Sequence, residues 1–278
     1  MHVRRIITRR RALASGVAVA ATAALLAPAG SAASAGSKPK AQPTFLLVHG
    51  GFADASGWNG VITQLRKDGY KKIIAPANPL RGLPADAPYI ASVLKSIKGP
   101  IVLVGHSYGG AVITNAAAGN TNVKALVYVA AFAPDKGEQL GPLLGKFPGS
   151  LIGDSVQGVP YPLPDGKTGV DLYLRADKFR AAFAADLPKS TTDLMQITQR
   201  PFAQSSLTDV TTAAAWHTIP SWAVVATEDK AIPPALERWL YKRAHSHVIE
   251  VKGASHVPMM SHPYVTARQI EAAAKATS

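Results

Sequence analysis

Short apolar runs alternate with longer amphipathic stretches along most of the chain. The apolar runs are Phe45–Val48, Lys72–Ala75, Ile101–Val104, Ala125–Ala130, Trp222–Ala226 and His247–Val251. Near-continuous apolar runs of this length are typical of strands that are covered on both faces. The stretches with helical spacing are Trp58–Lys67, Tyr89–Ile97, Gly109–Ala118, Pro234–Arg243 and Tyr264–Ala274. The alternation predicts one α/β domain over residues 44–278, with a mostly parallel, doubly wound sheet of about six strands.

One interval, residues 134–217, breaks this alternation. It contains many glycines and prolines and no strong strand of the sheet type. We predict a hairpin near Tyr161–Val170 that turns at Asp165-Gly166, followed by helices near Asp177–Ala185 and Thr191–Thr198. An irregular stretch of this length inside a domain is usually functional or a separate subdomain. We therefore interpret residues 134–217 as a cap inserted over the carboxyl edge of the sheet.

The N-terminal 35 residues have the order of a secretory signal. A basic stretch precedes the uncharged run Ala12–Ala27, and small residues ending in Ala33-Ser34-Ala35 follow it. The segment Thr8–Leu13 also resembles a twin-arginine signal, which carries folded proteins. We predict a secreted or extracytoplasmic protein with a signal peptide at residues 1–35 and a linker at 36–43. The apolar run is short for a membrane span, so we expect no stable anchor after processing; an uncleaved anchor is the alternative.

Charge and cysteine content narrow the function classes. The formal net charge is +13, but five of the arginines lie in the signal segment and no acid precedes Asp54, so its removal leaves +8. The remaining cations are scattered, and no nucleic-acid-binding motif is present, so we predict no nucleic-acid partner. The chain has no cysteine, so an exported protein of this sequence depends on its core and not on disulfides.

The strongest chemical motif follows the third apolar run. Ile101–Val104 leads into Gly105-His106-Ser107-Tyr108-Gly109-Gly110, and a helical pattern follows. Strand, G-x-S-x-G turn and helix are the order of a nucleophile elbow. The sharp turn lifts the serine hydroxyl above the sheet, and glycines are needed where bulkier neighbours would collide with adjacent backbone. The pattern predicts Ser107 as a nucleophile.

A serine nucleophile needs a base, and the base needs an orienting acid. In this fold the chain order is serine, acid, histidine. His256 fits the base because it follows the last strand and precedes the final helix, whereas we interpret His262 as a cap of that helix. Asp229 fits the acid because it directly follows the penultimate strand. Asp135, after the Ala125–Ala130 strand, is the alternative acid.

Backbone N–H groups and apolar side chains complete the predicted site. The first strand ends in a glycine turn that can present the N–H of Gly51, or else of Phe52, beside that of Tyr108 as an oxyanion hole. Five apolar residues of the cap and its neighbours are predicted to line an apolar slot for a small or medium acyl or alcohol group. They are Phe132, Met195, Phe202, Trp216 and Met259.

From Thr44 to Ala274 the chain resembles the α/β-hydrolase superfamily. The pieces that carry the resemblance are Leu47-Val48-His49-Gly50-Gly51, Trp58, Gly105–Gly110, Ala131-Phe132-Ala133-Pro134, Thr227–Pro233 and Ala254-Ser255-His256. It is similar to the branch of small esterases that includes plant methylesterases and hydroxynitrile lyases. The resemblance implies a triad of Ser107, Asp229 and His256, with oxyanion amides at Gly51 and Tyr108.

Two departures from the lyases of this branch favour ester hydrolysis. The lyases resemble each other in a hydroxyl residue after the strand histidine and a lysine after the catalytic histidine, where this chain has Gly50 and Val257. We therefore predict an exported serine hydrolase, a carboxylesterase that forms an acyl-enzyme with a small-molecule ester. No cofactor or metal is predicted, because no cluster has ligand spacing. Lyase or C–C hydrolase chemistry and a non-catalytic ligand-binding role are the alternatives; oligomeric state stays open.

Overall fold

A computed structural model of the chain describes residue 18 and residues 42–278. The predicted signal peptide at 1–35, apart from Ala18, and the predicted linker at 36–43, apart from Gln42 and Pro43, lie outside the described residues. None of the described helices is long and apolar enough to cross a membrane.

A six-stranded parallel sheet forms the core, as the apolar runs predict. The strands in chain order are β1 (Thr44–Val48), β2 (Ile73–Ile74), β3 (Ile101–Ser107), β4 (Val123–Ala131), β5 (Val156–Pro162), β6 (Thr168–Leu174), β7 (Phe202–Ala203), β8 (Ser221–Ala226) and β9 (His247–Val251). The main sheet has the order β2-β1-β3-β4-β8-β9, and all of its pairs are parallel. The predicted fold class is thereby confirmed.

Helices cover both faces of this sheet. They are α1 (Asn59–Lys67), α2 (Leu83–Ser96), α3 (Tyr108–Ala116), α4 (Leu140–Leu144), α5 (Ile152–Ser155), α6 (Ala176–Phe183), α7 (Lys189–Thr198), α8 (Pro234–Arg243), α9 (Pro258–Ser261) and α10 (Pro263–Ala276). Helix α1 packs on α10, and α2 packs on α3. Strands β1 and β3 are buried along their whole length, which accounts for their continuous apolar sequence.

Helix α2 begins six residues before the helix that the sequence predicts at Tyr89–Ile97. The two prolines in its first half, Pro84 and Pro88, conceal this start in the sequence. Pro84 lies in the first turn, where an N–H has no partner inside the helix in any case. Pro88 removes one hydrogen bond of the next turn, and the buried side chains of Leu83, Ala87 and Ile90 hold the turn against the core.

The chain between β4 and β8 forms a small separate layer. Strands β5, β6 and β7 make an antiparallel sheet, and α4 to α7 lie in the same interval. The predicted hairpin turning at Asp165-Gly166 is present, and Gly166 supplies the left-handed residue of its turn with a φ of 80°. This layer is tied to the loops of the sheet by a 2.7 Å salt bridge from Arg81 to Asp171 and a 3.1 Å bond from Ala203 N to Leu80 O.

Candidate active site

Ser107 is the last residue of β3 and directly precedes α3. Its backbone has a φ of 54° and a ψ of −124°, in the left-handed half of conformational space that non-glycine residues rarely adopt. Such a conformation costs about 1–3 kcal/mol and persists only where the surrounding structure enforces it. The serine predicted from the G-x-S-x-G motif therefore lies on a strained turn between strand and helix.

Three glycines of the elbow are required by close backbone contacts. A Cβ on Gly105 would lie 2.6 Å from the carbonyl oxygen of Gly109, one on Gly109 would lie 2.6 Å from the carbonyl oxygen of Val48, and one on Gly110 would lie 2.2 Å from the carbonyl oxygen of Phe132. All three contacts are with main-chain atoms, so no side-chain rotation can relieve them. The glycine positions thus follow from how closely α3 approaches β3 and the ends of β1 and β4.

The three side chains predicted as a triad lie in one hydrogen-bonded row. The Ser107 hydroxyl donates to Nε2 of His256 at 2.8 Å, and Nδ1 of His256 donates to Oδ2 of Asp229 at 2.6 Å. His256 and Asp229 are each 1% exposed, and Ser107 is 9% exposed. Ser107 and His256 are 149 residues apart in sequence. The fold alone brings them together, because the carboxyl ends of β3, β8 and β9 share one edge of the sheet.

The Asp229 carboxyl accepts hydrogen bonds from the backbone of its own turn as well as from His256. Its Oδ1 accepts hydrogen bonds from the backbone N–H groups of Ala231 at 2.6 Å and Ile232 at 2.9 Å. The neighbouring Glu228, in contrast, is exposed. One carboxyl therefore both orders the turn that leads to α8 and orients the imidazole.

The alternative acid and the competing histidine lie elsewhere. Asp135 accepts a 2.9 Å hydrogen bond from Nε2 of His217 in an exposed pair. His262 occupies the N-cap position of α10, as expected, although its side chain makes no cap hydrogen bond. Its Nδ1 instead contacts the hydroxyl of Ser261 at 2.9 Å. Neither residue reaches Ser107.

Two other histidines beside the site have structural roles. His49 receives a 2.9 Å bond from the N–H of Asn78 at Nε2, and burial lowers its pKa to about 4. His106 donates from Nε2 to the carbonyl oxygen of His256 at 2.8 Å. Burial, with the nearby His256 as the next cause, holds the pKa of His106 well below its usual value. Both rings are therefore neutral at neutral pH.

The loop after β1 packs directly on the serine. A Cβ on Gly50 would lie 2.6 Å from Cβ of Ser107, and Gly51 and Tyr108 both line the cavity above the hydroxyl. Within residues 42–278, the backbone N–H groups of Gly51, Phe52 and Tyr108 have no acceptor. Free N–H groups at this position are what a developing oxyanion requires.

An apolar cavity lies over Ser107. Phe132 and Phe202 line it, as the sequence predicts. Several further residues of its wall were not predicted. Four of them come from distant segments between β4 and β8 and from the turn before α8: Leu140, Ile152, Phe183 and Ile232. Nothing in the local sequence distinguishes these four from ordinary core residues.

The remaining predicted slot residues lie outside this cavity. Met195 and Met259 line a second, neighbouring cavity. Trp216 lines neither, and its prediction is wrong: its indole N–H donates to the carbonyl oxygen of Pro134 at 2.9 Å, and its ring lies beside the guanidinium of Arg243. Trp216 lies outside both cavities because the chain here already leads into β8, which begins at Ser221.

Two phenylalanines separate the two cavities. Phe52 and Phe183 line both of them, with ring centroids 6.3 Å apart and planes at 90°. The Phe183 ring also lies 5.0 Å from the ring of His256. Phe183 thus forms one wall of the site and the partition between its two apolar spaces.

The segment between β4 and β8 also contacts the loop that carries His256. Ser255, which directly precedes His256, donates a hydrogen bond to Asp186 of the cap. Among the described residues, no group of three histidines, aspartates or glutamates could hold a metal ion. The polar groups that the structure brings together at this site are the hydroxyl, the imidazole, the carboxyl and the free N–H groups.

Comparison with known proteins assigns the family. Residues 45–269 match the Alpha/beta hydrolase family, and the chain belongs to it. Methylesterase 1 of Arabidopsis thaliana is 24% identical over 248 residues, covering 82% of this chain and 94% of the relative. The resemblance to the branch that includes plant methylesterases is thereby confirmed, and relatives named as esterases support a hydrolase.

Solved structures share the fold. Polyneuridine aldehyde esterase matches with a TM-score of 0.72 at 22% identity, covering 84% of this chain and 99% of that one. A pyrethroid hydrolase from Sphingobium faniae JZ-2 matches with a TM-score of 0.68 at 22% identity, over 84% of this chain and 98% of its own.

Substituting Gly105 with alanine tests the elbow geometry. The added Cβ collides with the backbone of Gly109, so we expect the free energy of unfolding to fall by about 2 kcal/mol. Urea denaturation measures this change. The matched control is Gly153→Ala in α5, where a Cβ meets nothing within 4 Å. Equal unfolding free energies for the two variants would contradict the close approach of β3 and α3.

Proposed function

We propose that this member of the α/β-hydrolase family is an exported serine carboxylesterase that forms an acyl-enzyme on Ser107. The observation that supports it best is the continuous row of hydrogen bonds from Ser107 through His256 to Asp229. A hydroxyl in this arrangement can lose its proton to the imidazole as it attacks a carbonyl carbon. The relatives named Methylesterase 1 and Methylesterase 9 of Arabidopsis thaliana support an ester as the substrate.

The first half of the reaction forms the acyl-enzyme. Ser107 Oγ bonds to the ester carbonyl carbon while His256 Nε2 takes the hydroxyl proton. Asp229 holds the imidazole in the tautomer that presents Nε2 and stabilises the resulting imidazolium. The carbonyl oxygen becomes negative and accepts hydrogen bonds from the N–H groups of Tyr108 and Gly51, worth about 3 kcal/mol for one donor. The C–O bond then breaks, and His256 returns the proton to the departing alcohol.

Water completes the reaction. It attacks the acyl carbon and gives one proton to His256, and the bond to Ser107 breaks as that proton returns to the serine oxygen. The products are the alcohol and the carboxylic acid, with the enzyme unchanged. The apolar walls around Ser107 favour acyl or alcohol groups without charge.

Replacing Ser107 with alanine removes the nucleophile. We expect kcat on short p-nitrophenyl esters to fall by about 10⁴-fold or more. We also expect a fluorophosphonate probe to label the wild type and not the variant. Ser92→Ala, at an exposed serine of α2, is the control and retains both activities. Equal turnover by Ser107→Ala and wild type would rule out the mechanism. An unlabelled, inactive wild type would indicate a ligand-binding role, and labelling without ester turnover would indicate lyase or C–C hydrolase chemistry.

Phe183→Ala tests whether this ring limits substrate size. Removing the partition joins the two apolar cavities, so we expect the ratio of kcat/KM for p-nitrophenyl octanoate over acetate to rise about tenfold. The ratio is independent of how much enzyme is folded. The matched control is Phe179→Ala, because Phe179 lies on the same helix and lines only the second cavity. The same ratio in both variants would contradict a partition at Phe183.

Export is tested at the N-terminus. The order of basic, apolar and small residues supports removal of residues 1–35, so we expect N-terminal sequencing of the secreted protein to begin at Gly36. Replacing Arg9 and Arg10 together with lysine should retain the protein inside the cell if the twin-arginine route is used. Secretion of a chain that still begins at Met1 would contradict a cleaved signal.

A further inference from the structure

A second buried carboxyl lies behind the triad. Glu237, in the first turn of α8, is 0% exposed. Its carboxyl lies within hydrogen-bonding reach of the carboxyl of Asp229. Two ionised carboxylates at this separation and burial would repel each other strongly, and neither could donate a hydrogen bond to the other. The pair therefore requires either a compensating cation or a proton.

No cation compensates the pair within the described residues. The guanidinium of the adjacent Arg238 forms two 2.7 Å bonds with Glu250 at the surface. Tyr241, from the next turn of α8, uses its hydroxyl on the backbone of Ala131. His256 is already paired with Asp229. The two carboxyls are thus buried together, and the only imidazole bonded to the pair among the described residues is that of His256.

One oxygen of Glu237 indicates where a proton would be. Oε2 accepts a 3.1 Å hydrogen bond from the backbone N–H of Ala226. Oε1 is buried and accepts no hydrogen bond from any donor of residues 42–278. A buried polar atom without a partner destabilises the folded state, and a proton on Oε1 removes that penalty by turning the atom into a donor toward Asp229.

We propose that Glu237 is a positioning residue of the site: it remains protonated in the folded enzyme and donates from Oε1 to Asp229. Asp229 then receives four hydrogen bonds, from the N–H groups of Ala231 and Ile232, from His256 and from Glu237. The neutral acid fixes the orientation of the carboxylate without adding a second negative charge beside His256. Burial, with the charge of Asp229 as the next cause, raises the pKa of Glu237 well above its usual value, in agreement with this assignment.

The proton on Glu237 can be measured through stability. A carboxyl whose pKa is raised by folding binds its proton more tightly in the folded chain, so stability is lost as pH rises above about 4.3, the unfolded value. Glu237→Gln keeps a donor for Asp229 and an acceptor for Ala226 but cannot ionise. We expect the Tm of Glu237→Gln minus that of the wild type to be small at pH 4 and to increase steadily toward pH 8.

A control with the opposite sign is available. Glu250 is a half-exposed carboxyl whose pKa is lowered, chiefly by the hydrogen bond from Arg238. Its stabilising contribution is therefore present above the unfolded pKa and is lost on acidification. Glu250→Gln should thus lower the Tm slightly at pH 8 and not at pH 4. A Tm difference for Glu237→Gln that is flat or falls with pH would show that Glu237 is ionised and would overturn the proposal.

The positioning role, which rests on the proposed function, has its own measurement. We expect kcat of Glu237→Gln to stay within about threefold of the wild type, and kcat of Glu237→Met to fall about tenfold with KM unchanged, because methionine offers Asp229 no donor. An unchanged kcat for Glu237→Met would overturn the positioning role. If Glu237→Met does not fold, the Tm series of Glu237→Gln still decides whether the proton is present. Failure of the wild type to react with a fluorophosphonate would count against the esterase alone.

Discussion

The structure of the site depends on one strained residue. Ser107 adopts a left-handed backbone conformation that is unfavourable for serine. The close packing of the surrounding backbone enforces this conformation. Strand β3 passes directly into α3, and the loop after β1 packs against this turn at Gly50. In this tight turn the hydroxyl lies 2.8 Å from Nε2 of His256, and the first N–H of α3 has no acceptor within residues 42–278. The strain, the position of the Ser107 hydroxyl and the free N–H group of Tyr108 are therefore consequences of a single bend.

The local sequence predicts those parts of the fold that burial of a single strand or the geometry of a single turn determines. Strands buried on both faces are continuously apolar, and the tight bend requires glycine at Gly105 and Gly110, so both features are visible in the chain. His256 and Asp229 could be selected because each follows closely after a strand of the sheet. Parallel strands end at one edge, so position after a strand predicts proximity at that edge without any knowledge of distances.

The cap and the residues behind the triad could not be predicted in this way. Their contacts join segments whose local sequence is ordinary: Phe183 resembles any core residue of an amphipathic helix, and Trp216 resembles an equally good candidate for the slot. Glu237 resembles a solvated residue of a charged helix start. Only the tertiary arrangement shows that Phe183 contacts the imidazole, that Trp216 does not, and that Glu237 is buried beside Asp229.

Burial of the triad imposes a condition on the charges around it. An imidazolium forms beside Asp229 during the proposed reaction, in surroundings where an uncompensated charge is strongly destabilised. The neighbouring rings of His49 and His106 have lowered pKa values, so they add no positive charge, and a proton on Glu237 adds no negative one. The carboxylate of Asp229 then remains the single partner of the transient cation. The positive charge that forms on His256 during the proposed reaction is therefore balanced by the carboxylate of Asp229 alone, and not by a network of charged groups.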